Sequence, residues 1–119
     1  MKVKLGERGL LMFFSEWQIA IIECLLEANI PLGSKDIMQT VNQKKGVKIS
    51  RASVLYFLDD GVEEGYFGFI EATGKGGKRK LYRCLFDESE LKSQLIKLVI
   101  EKLLVEWGQT TKEAIRKIM

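Results

Sequence analysis

Apolar positions in this chain recur in three helical stripes, one β-type stretch and a long final helical run. In the first stripe Trp17, Ile21, Cys24, Leu25 and Ala28 return every three or four residues, and Ile22 and Leu26 widen the face. A helix so nearly apolar all round belongs at the centre of a core. Ser15-Glu16-Trp17-Gln18 opens it as a capping box, and Asn29-Ile30-Pro31-Leu32-Gly33 ends it, since Pro31 pushes the residue before it out of helical geometry. A second helix starts at Ser34. Ile37, Met38 and Val41 give it a narrow buried stripe, Lys35, Asp36, Gln39 and Gln43 face outward, and Lys44-Lys45-Gly46 stops it. Residues 1–14 fit an arm, an edge strand or a segment packed on a partner equally well.

Ser50 caps a third helix, in which Val54, Phe57, Leu58, Gly61 and Val62 form the apolar stripe. With that stripe inward, Ala52, Ser53, Tyr56 and Asp60 point outward and Arg51 lies beside it, near the N-terminal end. Gly65 suits the left-handed residue just past the helix. Tyr66–Thr73 and Lys78–Phe86 are β-prone, and Gly74-Lys75-Gly76-Gly77 between them tolerates the positive φ of a hairpin loop. Asp87, with Glu90 three residues on, opens the last long helix as a second capping box. Its apolar residues, from Leu91 through Leu104 and Val105 to Trp107, exceed what one face can hold. Gly108 breaks that pattern, and Thr110 or Thr111 caps a short final helix bearing Ala114, Ile115 and Ile118. The expected fold is α+β and mostly α: three helices and a hairpin over residues 15–86, then a helical segment over 87–119.

A chain of 119 residues supports one domain with one appended element, and 46% apolar content is ordinary for a globular protein. The net charge is only +3, so its distribution matters more. Lys44, Lys45, Lys48 and Arg51 make one basic cluster. Lys75, Lys78, Arg79 and Lys80 make another at the hairpin tip, and Asp59, Asp60, Glu63 and Glu64 lie between the two. A helix feeding a cationic hairpin is suited to a phosphate backbone. The bland readings are that Lys44 and Lys45 suit a helix dipole, and that the hairpin lysines serve solubility.

Other chemistry is poorly supported. Histidine is absent, which removes the commonest general base and metal ligand. Cys24 and Cys84 share no metal-type spacing and read as reduced thiols, with one disulfide between them as the lesser alternative. The paired carboxylates of the third helix read as a solvated face. Gly77-Lys78 is followed by Arg79, position 72 is Ala, and a strand follows, so no phosphate-binding P-loop is present. No catalytic, cofactor or metal residues are nominated, and an enzyme is not expected. No run of about 18 apolar residues suggests a spanning helix. Leu10–Phe14 is too short for a signal-peptide core, so the expected location is the cytoplasm and no membrane partner is expected.

Three helices and a basic hairpin follow the winged helix-turn-helix plan. Ser50–Phe67 resembles the recognition helix and turn of winged-helix repressors. Glu16-Trp17, Tyr82-Arg83-Cys84-Leu85 and Leu85-Phe86-Asp87-Glu88-Ser89-Glu90 are similar to the penicillinase-repressor family. Ser53-Val54-Leu55-Tyr56 and Gly77-Lys78-Arg79-Lys80-Leu81-Tyr82 are similar to PadR-like regulators. The resemblance implies a homodimeric, sequence-specific transcriptional regulator, a repressor, with helix 3 in the major groove and the wing along the adjacent backbone. It places Ser50, Arg51, Ser53 and Tyr56 on helix 3, and Lys75, Lys78 and Arg79 on the wing, as DNA contacts. Charge alone adds Lys48 and Lys80. The chain has neither the Asn-Phe bond cleaved in penicillinase repressors nor the C-terminal cysteine cluster of copper-responsive relatives, so neither induction mode carries over.

The final helix is the expected dimerisation element, through Leu91, Leu95, Leu98, Val99, Leu103 and Trp107. Burying one Leu contributes about 1.5–3 kcal/mol. Four or five per subunit offset an association cost of roughly 4–15 kcal/mol. The expected partners are double-stranded DNA and a second copy, and no pattern identifies a small-molecule effector. The acidic third helix keeps an alternative open, a winged-helix module that binds protein within a transcription complex.

Overall fold

The structure, a computed structural model, describes residues 2–119. The side chain of Lys45, counted in the first basic cluster, lies outside the described residues. The chain forms two units, Met1–Glu88 and Ser89–Met119.

In the first unit the elements run α1 (Glu16–Ala28), α2 (Ser34–Lys45), α3 (Arg51–Glu64), β1 (Phe67–Gly74) and β2 (Gly77–Cys84). Ser15 and Gln18 take the capping-box arrangement, with the Ser15 amide donating to Gln18 Oε1 at 2.9 Å, while Ser15 Oγ is buried without a hydrogen-bond partner. Ser50 Oγ accepts the Ser53 amide at 3.1 Å and starts α3. Gly46 and Gly65 close α2 and α3 in left-handed conformations, at φ 63° and 87°. α1 ends at the first residue of the expected Asn29–Gly33 segment: Asn29 caps it at φ 56°, a left-handed conformation that Asn tolerates better than most residues, two residues before Pro31.

The freed segment has a use that periodicity hides. Leu32 pairs with Tyr82 through two backbone hydrogen bonds of 2.9 and 2.8 Å, adding a third, one-residue strand position beside the hairpin. β1 and β2 are antiparallel, in a register that sets Phe69 opposite Tyr82 and Glu71 opposite Lys80. The turn is Lys75-Gly76, tighter than the four-residue linker expected, and Gly77 alone takes a left-handed φ, 96°.

The core carries the predicted stripes. Ile21, Ile22, Ile37, Val41, Val54, Leu58, Phe67 and Tyr82 are all buried. Phe57 meets Phe14, Trp17 and Phe67 edge-on, at centroid distances of 5.8, 5.7 and 5.5 Å. Such geometry adds roughly 0.5–1.5 kcal/mol per pair beyond area burial. Gly61 is required by this packing: a Cβ there would clash with the Cδ2–Cε2 edge of the Phe67 ring. Before α1 the described residues form an arm that is exposed over positions 2–9 and packs only as it nears the helix. Gly9–Met12 make a 3-10 turn, Lys4 N–H donates to Met12 C=O at 2.8 Å, and Phe14 is buried.

The second unit is α4 (Glu88–Ile118), interrupted at Trp107 with φ −137° and ψ 62°. The break thus falls one residue before the glycine expected to cause it. Thr111 is not an N-cap; it is buried, and its hydroxyl donates to Leu103 C=O at 3.1 Å, fastening the turn after the break to the one before. Leu103, Trp107, Thr111 and Ile115 help line an apolar groove of about 310 Å³. Among the described residues no helix is long and apolar enough to cross a membrane.

Candidate nucleic-acid interface

The wing and the start of α3 enclose one cleft of about 320 Å³. Five cations line it: Lys35 from α2, Arg51 from α3, and Lys78, Arg79 and Lys80 from β2. Asp36 and Asp59 oppose them, so the cleft is cationic on balance. Strand alternation sends Lys78 and Lys80 to one face of the hairpin and Arg79 to the other. All three nevertheless border the same space, because the cleft reaches around the strand edge.

The chain holds several of these groups in place. Arg51 Nε donates to Ser34 Oγ at 3.2 Å, which anchors the first residue of α3 to the first residue of α2. Asp59 Oδ1 accepts the Tyr82 hydroxyl at 2.8 Å and lies 3.6 Å from Lys80 Nζ. Lys80 Nζ also stands 4.6 Å from the centroid of the Phe69 ring, in cation–π range. Lys78 Nζ lies 3.9 Å from Glu71 Oε2. Burial, with the Asp59 hydrogen bond and charge added, pushes the Tyr82 phenol far above its ordinary value, so it remains a donor.

The nominated DNA contacts therefore divide. Arg51, Lys78, Arg79 and Lys80 converge on the cleft, whereas Lys48, Ser50, Ser53, Tyr56 and Lys75 lie outside it. Tyr56 is 76% exposed on the open face of α3, and Lys75 is exposed at the hairpin tip. Ser50 and Ser53 bond each other, Oγ to Oγ at 3.0 Å, and serve first as the cap of α3. Sequence reasoning missed Lys35 and Asp59. Lys35 reads as an ordinary outward residue, and the role of Asp59 depends on Tyr82, 23 positions away. The acidic end of α3 also divides: Asp59 faces the wing, while Asp60 and Glu64 line a separate cavity with the N-terminal arm.

In the second unit the nominated dimer residues differ in availability. Leu91 and Leu95 are already buried, at 3% and 1% exposed, and have no surface left for a second copy. Leu98, Val99 and Leu103 are half-buried and Trp107 is exposed. Ile96 and Val105, not nominated, are exposed as well. Among the described residues no cluster of ligands could hold a metal ion.

No protein-family model matches the chain, and no curated protein matches it. Solved structures do. A protein described as a possible transcriptional regulator from Methanosarcina mazei Go1 is similar with a TM-score of 0.61 at 13% identity, over 84% of this chain and 78% of that one. A PadR family transcription regulator from Clostridium difficile R20291 gives 0.52 at 17% identity, over 78% and 98%. A protein described as a putative transcriptional regulator from Thermoplasma acidophilum gives 0.53 at 15% identity, over 75% and 93%. Together with the three helices, the hairpin and the long last helix, these likenesses make the fold a winged helix-turn-helix of the kind found in transcriptional regulators.

Proposed function

We propose that the protein is a sequence-specific DNA-binding transcriptional regulator, a cytoplasmic homodimer that represses. The observation that carries this reading is the convergence of Lys35, Arg51, Lys78, Arg79 and Lys80 on one cleft between α3 and the wing. In this reading the exposed face of α3, with Tyr56, enters the major groove, Arg51 reaches a base edge or phosphate at its N-terminal end, and the wing follows the neighbouring backbone. The similarity to a PadR family regulator supports it at the level of fold. Half-buried Leu98, Val99 and Leu103, with exposed Trp107, supply the apolar surface for a second copy.

The test is selection of duplexes from a random pool, followed by binding of the selected site across salt concentrations. The log–log slope is expected near −0.9 for each phosphate neutralised. Changing Lys78, Arg79 and Lys80 together to Ala flattens it, and unchanged binding by that variant rejects the wing's role. The alternative, a module that binds protein, draws on the acidic residues of α3. A complete lack of salt-dependent duplex affinity, together with a stable heteromeric partner, selects it.

A further inference from the structure

A cavity of about 610 Å³ on the other side of α3 belongs to none of this. It is bordered by Phe57, Asp60, Gly61 and Glu64 of α3, whereas the wing cleft is bordered by Arg51, Leu55 and Asp59. At 100° per residue these sets lie on opposite sides of the helix. The volume falls in the range of roughly 300–1,000 Å³ usual for small-molecule sites.

Its lining is ordered by chemistry. Phe13, Phe14, Trp17 and Phe57 give it aromatic walls. Lys2 and Lys4, from the exposed part of the N-terminal arm, place two positive charges on its border. Asp60 and Glu64, from the last two turns of α3, place two negative ones. Glu64 is the final residue of α3, where the helix dipole reinforces negative charge. Among the described residues neither lysine pairs with either carboxylate within the 4.0 Å of an ion pair. Tyr66 also borders the cavity, 6% exposed, with its hydroxyl lacking a hydrogen-bond partner.

We propose that this cavity binds a free aromatic amino acid, its ring against Trp17 and Phe57, its carboxylate toward Lys2 and Lys4, and its ammonium toward Asp60 and Glu64. Balanced, unpaired charges of both signs favour a zwitterion over a ligand of either single charge. The apolar walls supply the burial that a ring requires.

The test uses the full chain, labelled with nitrogen-15, and three probes of one shape. L-phenylalanine carries both charges, phenethylamine only the cation, and 3-phenylpropionate only the anion. L-phenylalanine is expected to shift the Trp17 indole resonance saturably, with the Trp107 indole as reference, and to bind roughly fivefold tighter than either analogue, the scale of one exposed ion pair. The pair Asp60→Asn with Glu64→Gln weakens L-phenylalanine and phenethylamine by a similar factor and spares 3-phenylpropionate. The pair Lys2→Ala with Lys4→Ala does the reverse. All four side chains are exposed, so both variants retain the fold. No saturable shift at Trp17, equal affinity for the three probes, or indifference of both variants overturns the proposal. The outcome does not depend on whether the protein binds DNA.

Discussion

Replacing Asp59 by Asn removes one negative charge from the wing cleft while leaving an oxygen to accept the Tyr82 hydroxyl. In the native chain that carboxylate stands 3.6 Å from Lys80 Nζ, and Glu71 stands 3.9 Å from Lys78, so two of the five cleft cations already have partners. Counting only Lys35, Arg51 and Arg79 as available gives a salt slope of about −2.7 per protomer and about −5.4 for a dimer. Asp59→Asn frees Lys80 and steepens the dimer's slope by about 1.8. Phosphate contacts each lose about half a decade of affinity between 50 and 200 mM salt, so the variant binds about tenfold more tightly at the low end and loses that lead at the high end. The stability cost is small, because an exposed ion pair contributes about 0.2–1 kcal/mol. Fluorescence anisotropy of a labelled, selected duplex over that salt range measures both quantities. Parallel lines of equal height for native and variant proteins refute the assignment of Asp59 as a competitor for Lys80. Loss of binding by the variant instead makes Asp59 a direct contact, for which an exposed cytosine amine is the natural donor.

Three further outcomes are expected. Gly61→Ala drives a methyl into the Phe67 ring; overpacking of about 1–3 kcal/mol outweighs the helix-propensity gain of up to about 1 kcal/mol, and thermal unfolding shows a net loss that Phe67→Leu partly relieves. Stability is flat through neutral pH and falls in alkali. Burial, with a lesser contribution from Cys24, lifts the Cys84 thiol from 9.0 to about 12, and Tyr66 and Tyr82 rise from 10.0, so above those ordinary values the unfolded chain gives up protons that the folded chain still holds, and unfolding is favoured. Chemical denaturation between pH 7 and 11 checks this, and Tyr82→Phe removes part of the alkaline slope. Leu103→Asp with Trp107→Ser converts a dimer to a monomer in a solution mass measurement, whereas Ile30→Ser, at another exposed apolar residue, does not.

The helices were legible because each is written in one period. Ser15, Ser50 and Gly65 announce their own ends, and Val54, Phe57, Leu58 and Gly61 face inward as the 3.6-residue repeat requires. What escaped reading lies between elements. Asn29 lies in the segment expected to end α1, but the left-handed conformation by which it does so is encoded by no repeat. Leu32 looks like loop until Tyr82 arrives, 50 positions later, to pair with it. The paired state of Lys80 depends on which turn of α3 the hairpin crosses. The break in α4 was readable from Gly108, but the residue that takes the non-helical angles is its neighbour Trp107. The charges of the cleft were readable as types, but not as partners.

Tyr82 is fastened on two sides: its backbone is stitched to Leu32 and its phenol to Asp59 of α3. The hairpin is therefore no loose flap; Tyr82, with Lys80 at Asp59 and Phe67 against Phe57 and Gly61, clamps it to the helix like the fixed jaw of a caliper. If a double helix is what these jaws measure, the nucleic acid must supply the bending, and sites rich in pliable pyrimidine–purine steps should be preferred even where no side chain touches them.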